Sequence, residues 1–369
     1  MRHRAGRIVT IESLTELDRR LAQGAHRLRG WRLVGLDLRD RARVLDGRDT
    51  SHTTFAGCTF APGDAERHAA RGALVLPAVD AVPVDANRDS LYTADELYDD
   101  PSYRRTLDGR AYAWSQGTGS RGAGPDDLLA RALHDDGIDR ALTAWTGSRR
   151  LVGVMGGHAL QRGAADYTGA ARLGRLLGRR FTVATGGGPG AMEAANLGAR
   201  LARADEAALA HALGMLATVP SYHPSVDAWI ASARSVLSDL ADVPVTETLG
   251  VPTWHYGHEP PNLFATAIAK YFRNALREAI LLQVCAGGIV FLPGAAGTVQ
   301  EIFQDACENH YATEDAIAPM VLVDRAHWTE TLPAWPLLQA LAKGRPMEAH
   351  IHLVDTVDEA ASIVDAGAA

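Results

Sequence analysis

The sequence predicts an α/β protein, on three observations. Apolar strand-like segments alternate with amphipathic helical ones from residue 151 onward, and glycine-bearing turns stand at the ends of three of those strands. At 369 residues the chain is also long for a single compact core, so two domains are expected. Repeated strand–helix units imply a parallel sheet covered on both faces, with ligand sites at the carboxyl ends of its strands. The expectation is a Rossmann-like, doubly wound domain over residues 126–369, tail included, preceded by a smaller α/β region over residues 1–125.

In the N-terminal region, Ser13 and Glu16 have capping-box spacing and Leu14, Leu17, Leu21 and Leu28 recur at helical spacing, which predicts a helix over 13–28. Strands are expected at 31–38 and 73–77. The stretch 115–127, SQGTGSRGAGPDD, has the Gly/Ser-rich composition of a linker, and a helix over 126–145 leads into the main domain. There the pattern predicts strands at 151–155, 181–185, 213–219, 249–253, 288–292 and 319–323. Helices are expected at 166–177, 191–202, 225–240, 262–283 and 298–309. An aromatic-bearing helix with Trp328 and Trp335, a strand at 350–354 and a helix from 357 complete the domain. No long internal repeat is visible in the letters.

Composition narrows the function classes. Hydrophobic residues at 47% and charged residues at 22% describe an ordinary globular chain. A net charge of −7 provides no general attraction to nucleic acid or to an anionic membrane, so a small molecule is the expected partner. Cys58, Cys285 and Cys307 are far apart and lack CxxC spacing, so neither a disulfide framework nor a zinc site is indicated. The basic N-terminus MRHRAGRIVT has no apolar segment after it, and no run approaches the roughly 18 apolar residues of a membrane span. A cytoplasmic location is expected.

Three turns carry the chemistry: Gly156-Gly157-His158, Gly186-Gly187-Gly188-Pro189-Gly190, and Pro293-Gly294-Ala295-Ala296-Gly297-Thr298. In a doubly wound sheet they lie along one edge and converge on one ligand. The third is the most informative, because IVFLPGAAGTVQE over 289–301 runs from a short strand through small residues into a helix. Backbone N–H groups and the positive end of the helix dipole suit a phosphate there, with Glu301 one turn past Thr298. Thr298 can donate to phosphate or cap the helix; Glu301 can act on a ligand or complement the dipole.

Two familiar phosphate motifs fit less well. No Gly-Lys-Ser/Thr triplet follows any of the turns, which excludes a Walker A loop. GGGPGA from Gly186 satisfies GxGxxA, but it follows the second strand of the unit, and Asp205 and Glu206 are not at the end of the next one. The segment WHYGHEPPN places His255, His258 and Glu259 close together; the order is not HExxH and the Gly and Pro residues oppose a helix, so a loop over the ligand is expected rather than a metal site.

TGGGPGAMEAANLGA over 185–199, followed by PGAAGTVQE over 293–301, resembles the lonely guy (LOG) type phosphoribohydrolases, whose hallmarks are a GGG-type turn and PGGxGTxxE. Members are often mislabelled lysine decarboxylases. The resemblance covers about 151–323 and includes the residues around Glu259-Pro260-Pro261-Asn262. With the extra N-terminal region the chain is similar to the longer bacterial nucleotide 5′-monophosphate nucleosidases.

The resemblance implies hydrolysis of the N-glycosidic bond of a nucleoside 5′-monophosphate to free base and ribose 5-phosphate, without metal or organic cofactor, by a homodimer or higher homo-oligomer. It gives Glu301 as the catalytic acid and expects an arginine on the preceding helix: Arg277 fits with a one-residue offset, and Arg273, one turn earlier, is the alternative. Both arginines could equally belong to the solvated face of a helix whose other side carries Phe264, Ile268, Phe272, Leu276 and Ile280. The three turns, with Met192, Glu193, Glu259 and Asn262, are the expected binding residues; Met192 is expected to pack, and Glu193 to face ribose hydroxyls or the helix dipole. A carboxylate suits the chemistry, since it can stabilise oxocarbenium character and activate water. Arginine can fix phosphate or Glu301 itself.

Ala295 departs from the family pattern, which has glycine there. If the position required positive φ, alanine would cost about 1 kcal/mol. That departure motivates a rival expectation, a non-catalytic nucleotide sensor or a carrier of a phosphorylated pterin-like cofactor.

Overall fold

The computed structural model describes residues 9–79, 82–117, 124–255 and 259–367. The chain forms two compact units, residues 1–89 with 123–137 and residues 90–122 with 138–369.

The first unit carries a four-stranded sheet in the order β1 (Val9–Ile11), β2 (Trp31–Val34), β3 (Thr54–Ala56), β4 (Leu74–Leu76), every pair parallel. Helices α1 (Leu14–Ala22), α2 (Ala42–Asp46) and α3 (Asp64–Ala70) lie between successive strands. The Ser13 hydroxyl accepts from the Glu16 N–H at 3.3 Å, as its spacing predicts, but the helix stops at Ala22 and Leu28 enters the core from the loop beyond. Ile11, Leu33, Phe55 and Val75 form one cross-strand ladder with steps of 22, 22 and 20 residues. The unit therefore has a structural period that the letters hide, because position on the ladder demands an apolar side chain and not a particular one.

The second unit begins with α4 (Ala94–Leu97) and α5 (Leu107–Gly117). Helix α6 (Pro125–Thr146), whose residues up to 137 count to the first unit and the rest to the second, opens with proline, whose missing N–H costs a helix nothing at its first position. The middle of the expected linker, residues 118–123, lies outside the described residues. The elements that follow are β5 (Leu151–Met155), α7 (Ala165–Leu177), β6 (Thr182–Thr185), α8 (Ala191–Arg200), α9 (Glu206–Leu216), α10 (Val226–Asp239), β7 (Thr248–Gly250), β8 (Ala267–Ile268), α11 (Asn274–Val284), β9 (Ile289–Phe291), α12 (Ala296–Tyr311), β10 (Met320–Val323), α13 (Ala334–Ala342), β11 (Ile351–Val354) and α14 (Val357–Ala366). The seven strands form one parallel sheet in the order β11-β10-β9-β5-β6-β7-β8, flanked by helices, a Rossmann-like doubly wound arrangement. From β5 the chain winds outward to β8, returns to β9 beside β5, and continues to β11. The crevice between the carboxyl ends of β5 and β9 is thus the switch point at which open α/β sheets bind ligands. Among the described residues, no helix is long and apolar enough to cross a membrane.

Beyond the shortened α1, two segments depart from expectation. The letters predict a strand over 213–219; residues 213–216 instead close α9 and 217–219 turn beyond it, because Asp205 accepts from the Ala208 N–H at 2.7 Å and Leu209, Ala212 and Leu216 are buried at helical spacing. The helix expected over 262–283 begins only at Asn274. Phe264, Ile268 and Phe272 recur every fourth residue, yet Leu263, Ala265, Ala267, Ala269 and Tyr271 between them are buried too, so the segment is enclosed on all sides. The Asn262 carboxamide oxygen accepts from the N–H groups of Phe264 and Ala265, each at 3.1 Å, which fixes a turn in place of the first helical turn.

Candidate functional site

Backbone bonds draw the three turns together at the switch point. The Leu292 N–H donates to Met155 O at 2.8 Å and the Gly157 N–H to Pro293 O at 3.1 Å, joining the β5 and β9 turns. The Ala191 N–H donates to Gly157 O at 3.1 Å, which ties in the start of α8. A cavity of about 920 Å³ opens over this junction. Gly156, Gly157, His158, Met192, Glu259, Arg277, all six residues from Pro293 to Thr298, and Glu301 line it.

The glycines at 186, 187, 188 and 190 do not line the cavity; they make room behind it. Gly190 has φ +72°, and a Cβ there would lie 2.5 Å from Gly157 O. A Cβ at Gly186 would run into the guanidinium of Arg277. The GGG turn is therefore the seat of the arginine, whose Nε donates to Val251 O at 2.7 Å and Nη2 to Gly186 O at 3.3 Å.

Arg277 in turn places Nη1 3.9 Å from Oε1 of Glu301. Burial raises the Glu301 carboxyl; the Arg277 charge opposes this and Glu278 adds to it, leaving the group pushed up to about 7. An acid in that range can both take and give a proton near neutral pH.

Ala295 has φ −120° and ψ −146°, so the turn requires no positive φ and the expected cost of alanine does not arise. Ala295, Ala296 and Gly297 are exposed at the rim, and the N–H groups that open α12 have no acceptor within the helix. Thr298 is buried behind them, and a Cβ at Gly294 would strike its side chain. A ring nitrogen of His327 lies 3.1 Å from Gly294 O and steadies the same turn.

Two expected site residues serve the framework instead, and a third lies outside the cavity. Glu193 is fully buried in an ion pair with Arg162 and accepts from the Tyr167 hydroxyl at 2.9 Å, so its carboxylate is already satisfied away from the cavity. Asn262, also fully buried, donates to Gly188 O at 3.2 Å and to Asn196 Oδ1 at 3.0 Å, tying its loop to the GGG turn. Arg273 is the exposed N-cap of α11 and is not among the cavity residues; of the two candidate arginines only Arg277 enters. Glu259 has its carboxylate 3.4 Å from His158 Nδ1. His258 lies outside the described residues, and among those described no cluster of His, Cys, Asp or Glu could hold a metal ion.

The cavity also takes in Asp166, Glu278, Asp324, His327 and Asp355, which the sequence reading does not single out. Asp324 and Asp355 directly follow β10 and β11, where the rule of carboxyl-end sites already points. Glu278 is the neighbour of Arg277 and carried no motif of its own.

No protein family matches the sequence. No curated protein matches it either. Among solved structures the chain is similar to the molybdenum cofactor binding protein from the phototrophic bacterium Rippkaea orientalis, at 14% identity and a TM-score of 0.36 over 60% of this chain and 98% of that one. It is also similar to the Moco carrier protein from Chlamydomonas reinhardtii, at 17% identity and the same TM-score, over 60% of this chain and 98% of that one.

Proposed function

We propose that the cavity takes a nucleoside 5′-monophosphate and that the protein hydrolyses its N-glycosidic bond, releasing free base and ribose 5-phosphate. The observation that carries this reading is the largely but not fully buried acid Glu301, pushed up to about 7, one turn beyond an open helix N-terminus in the same cavity. Phosphate sits against the N–H groups of Ala296, Gly297 and Thr298, with the dipole of α12 behind them. The ribose then extends towards Glu301. Water attacks C1′ as the C1′–N bond breaks; Glu301 takes the water proton and afterwards releases it to solvent, while the bond electrons leave with the base, whose nitrogen takes up a proton from solvent. Arg277 fixes the carboxylate and balances its charge.

The test is incubation with the common nucleoside 5′-monophosphates and identification of products. Base and ribose 5-phosphate from at least one of them are expected; tight binding without turnover across the panel overturns the reading.

A holding role, as nucleotide sensor or carrier of a phosphorylated pterin-like cofactor, is favoured by one observation. The volume of about 920 Å³ stands near the top of the ~300–1,000 Å³ range of small-ligand pockets and leaves room for a larger phosphorylated molecule. An intact ligand recovered with the purified protein, and no hydrolysis, selects that role.

A further inference from the structure

Glu278 lines the same cavity as Glu301 and has no part in the chemistry above. It is 7% exposed, and its two oxygens are held from two helices. Asn274 Nδ2, one turn earlier on α11, donates to Oε1 at 2.7 Å, and Gln300 Nε2 of α12 donates to Oε2. A carboxylate clamped in this way cannot turn to water without losing both bonds, so its charge is a fixed part of the field inside the cavity.

The other groups around Glu301 leave that charge with one main opponent. Arg277, from α11, is the nearby cation. Asp305, one turn further along α12, is pushed up to about 8 by burial and carries little charge at neutral pH. Burial likewise raises the Cys285 thiol at the end of α11. His158 and Glu259 face each other, and His327 is turned to Gly294 O.

We propose, on the basis of the glycosidase reading, that Glu278 is a positioning residue: clamped between α11 and α12, it sets the proton affinity of Glu301 and so the pH range in which that residue works. Arg277 favours the ionised form of Glu301 and Glu278 the protonated form. Without Glu278 the arginine dominates. Glu301 then remains ionised to lower pH and is a weaker base towards the attacking water.

The test follows the Glu301 carboxyl by carbon NMR in glutamate-labelled protein, with its signal assigned by loss in Glu301→Gln, alongside the pH profile of kcat/KM. In Glu278→Gln the midpoint is expected to fall by about half a unit or more, and the acid limb of the profile with it. Glu278→Asp, which keeps the charge, restores most of the shift. Should Glu278→Gln fail to fold, Gln300→Ala releases one end of the clamp and is expected to move the midpoint in the same direction by less. An unchanged midpoint overturns the inference whether or not nucleotide is hydrolysed. A midpoint that depends on Glu278 in a protein that hydrolyses no nucleotide supports it and overturns the glycosidase reading instead.

Discussion

Arg277 holds one nitrogen 3.9 Å from Glu301 while two others are committed to the carbonyls of Val251 and Gly186. The arginine is thus anchored by the framework and lends Glu301 charge at a distance, without a close pair that would pull the acid fully into its ionised form. The glycine turn and the acid, 115 residues apart at Gly186 and Glu301, act on each other through this one side chain.

Loss of the acid is the most direct test of the proposed chemistry. Glu301→Gln should lower kcat for nucleotide hydrolysis by about 10²–10⁴-fold with little change in ligand binding. Arg273→Ala, at the exposed cap of α11, should leave the rate within about twofold. Equal losses in both variants would remove the distinction drawn between the two arginine positions and the acid.

Replacing Arg277 by alanine removes the charge that opposes burial, so the Glu301 midpoint should rise above about 7. Two backbone carbonyls lose their donor as well, and folding stability should fall by about 1–3 kcal/mol. Carboxyl titration by NMR and urea unfolding measure the two effects separately.

Stability should fall as pH rises. Glu301 and Asp305 are raised to about 7 and about 8 in the folded chain from ordinary values of 4.5 and 3.8. Between those limits the native state keeps protons that the unfolded chain has released, so folding is favoured at the acid end and the benefit is lost as pH climbs through 7 and 8. Each group contributes at most about 1.4 kcal/mol per pH unit across its window. Thermal unfolding between pH 5 and pH 8 should show a declining midpoint from these groups, and Asp305→Asn should flatten it; an identical slope in the variant would rule out Asp305 as a source.

Two glycine substitutions should act in opposite directions. A Cβ at Gly198 of α8 would strike the Ala171 carbonyl of α7, so Gly198→Ala should destabilise by about 1–3 kcal/mol or prevent folding. Gly214 of α9 faces open space, and Gly214→Ala should stabilise by about 0.5–1 kcal/mol. Denaturant midpoints of the two variants are the measurement.

Ala295→Gly should change little, because the alanine already has a φ any residue adopts. A change within about twofold in turnover or ligand affinity is expected; a large gain would mean that the methyl group crowds the ligand after all.

The local elements with strong punctuation were legible from the letters. Ser13 caps a helix and the apolar run at Leu151–Met155 is the first strand of the main sheet, both as read; the helix expected from Asp126 opens one residue earlier, at Pro125. The two misread segments share a cause. Periodicity reports one buried face, and residues 262–272 are buried on every side except at half-buried Thr266, while Leu213 to Leu216 belong to a helix that starts at its own cap. Glu193 shows the same limit at the level of chemistry: its place after the GGG turn suggested a ligand contact, whereas Arg162, 31 positions away, neutralises it in the interior.

From the sequence alone came the parallel α/β class, the three turns at the strand ends, and Glu301 at the start of a helix able to hold an anion, because these depend on apolar spacing, small residues and local backbone geometry. The tertiary structure decided which arginine enters the cavity, that the GGG turn seats that arginine instead of lining the cavity, that Glu193 and Asn262 belong to the framework, and that Glu278 is clamped beside the acid. Those outcomes depend on distance and burial between residues remote in the chain, and a carboxylate's proton affinity is fixed by the charges and desolvation it meets only once the sheet has brought them together.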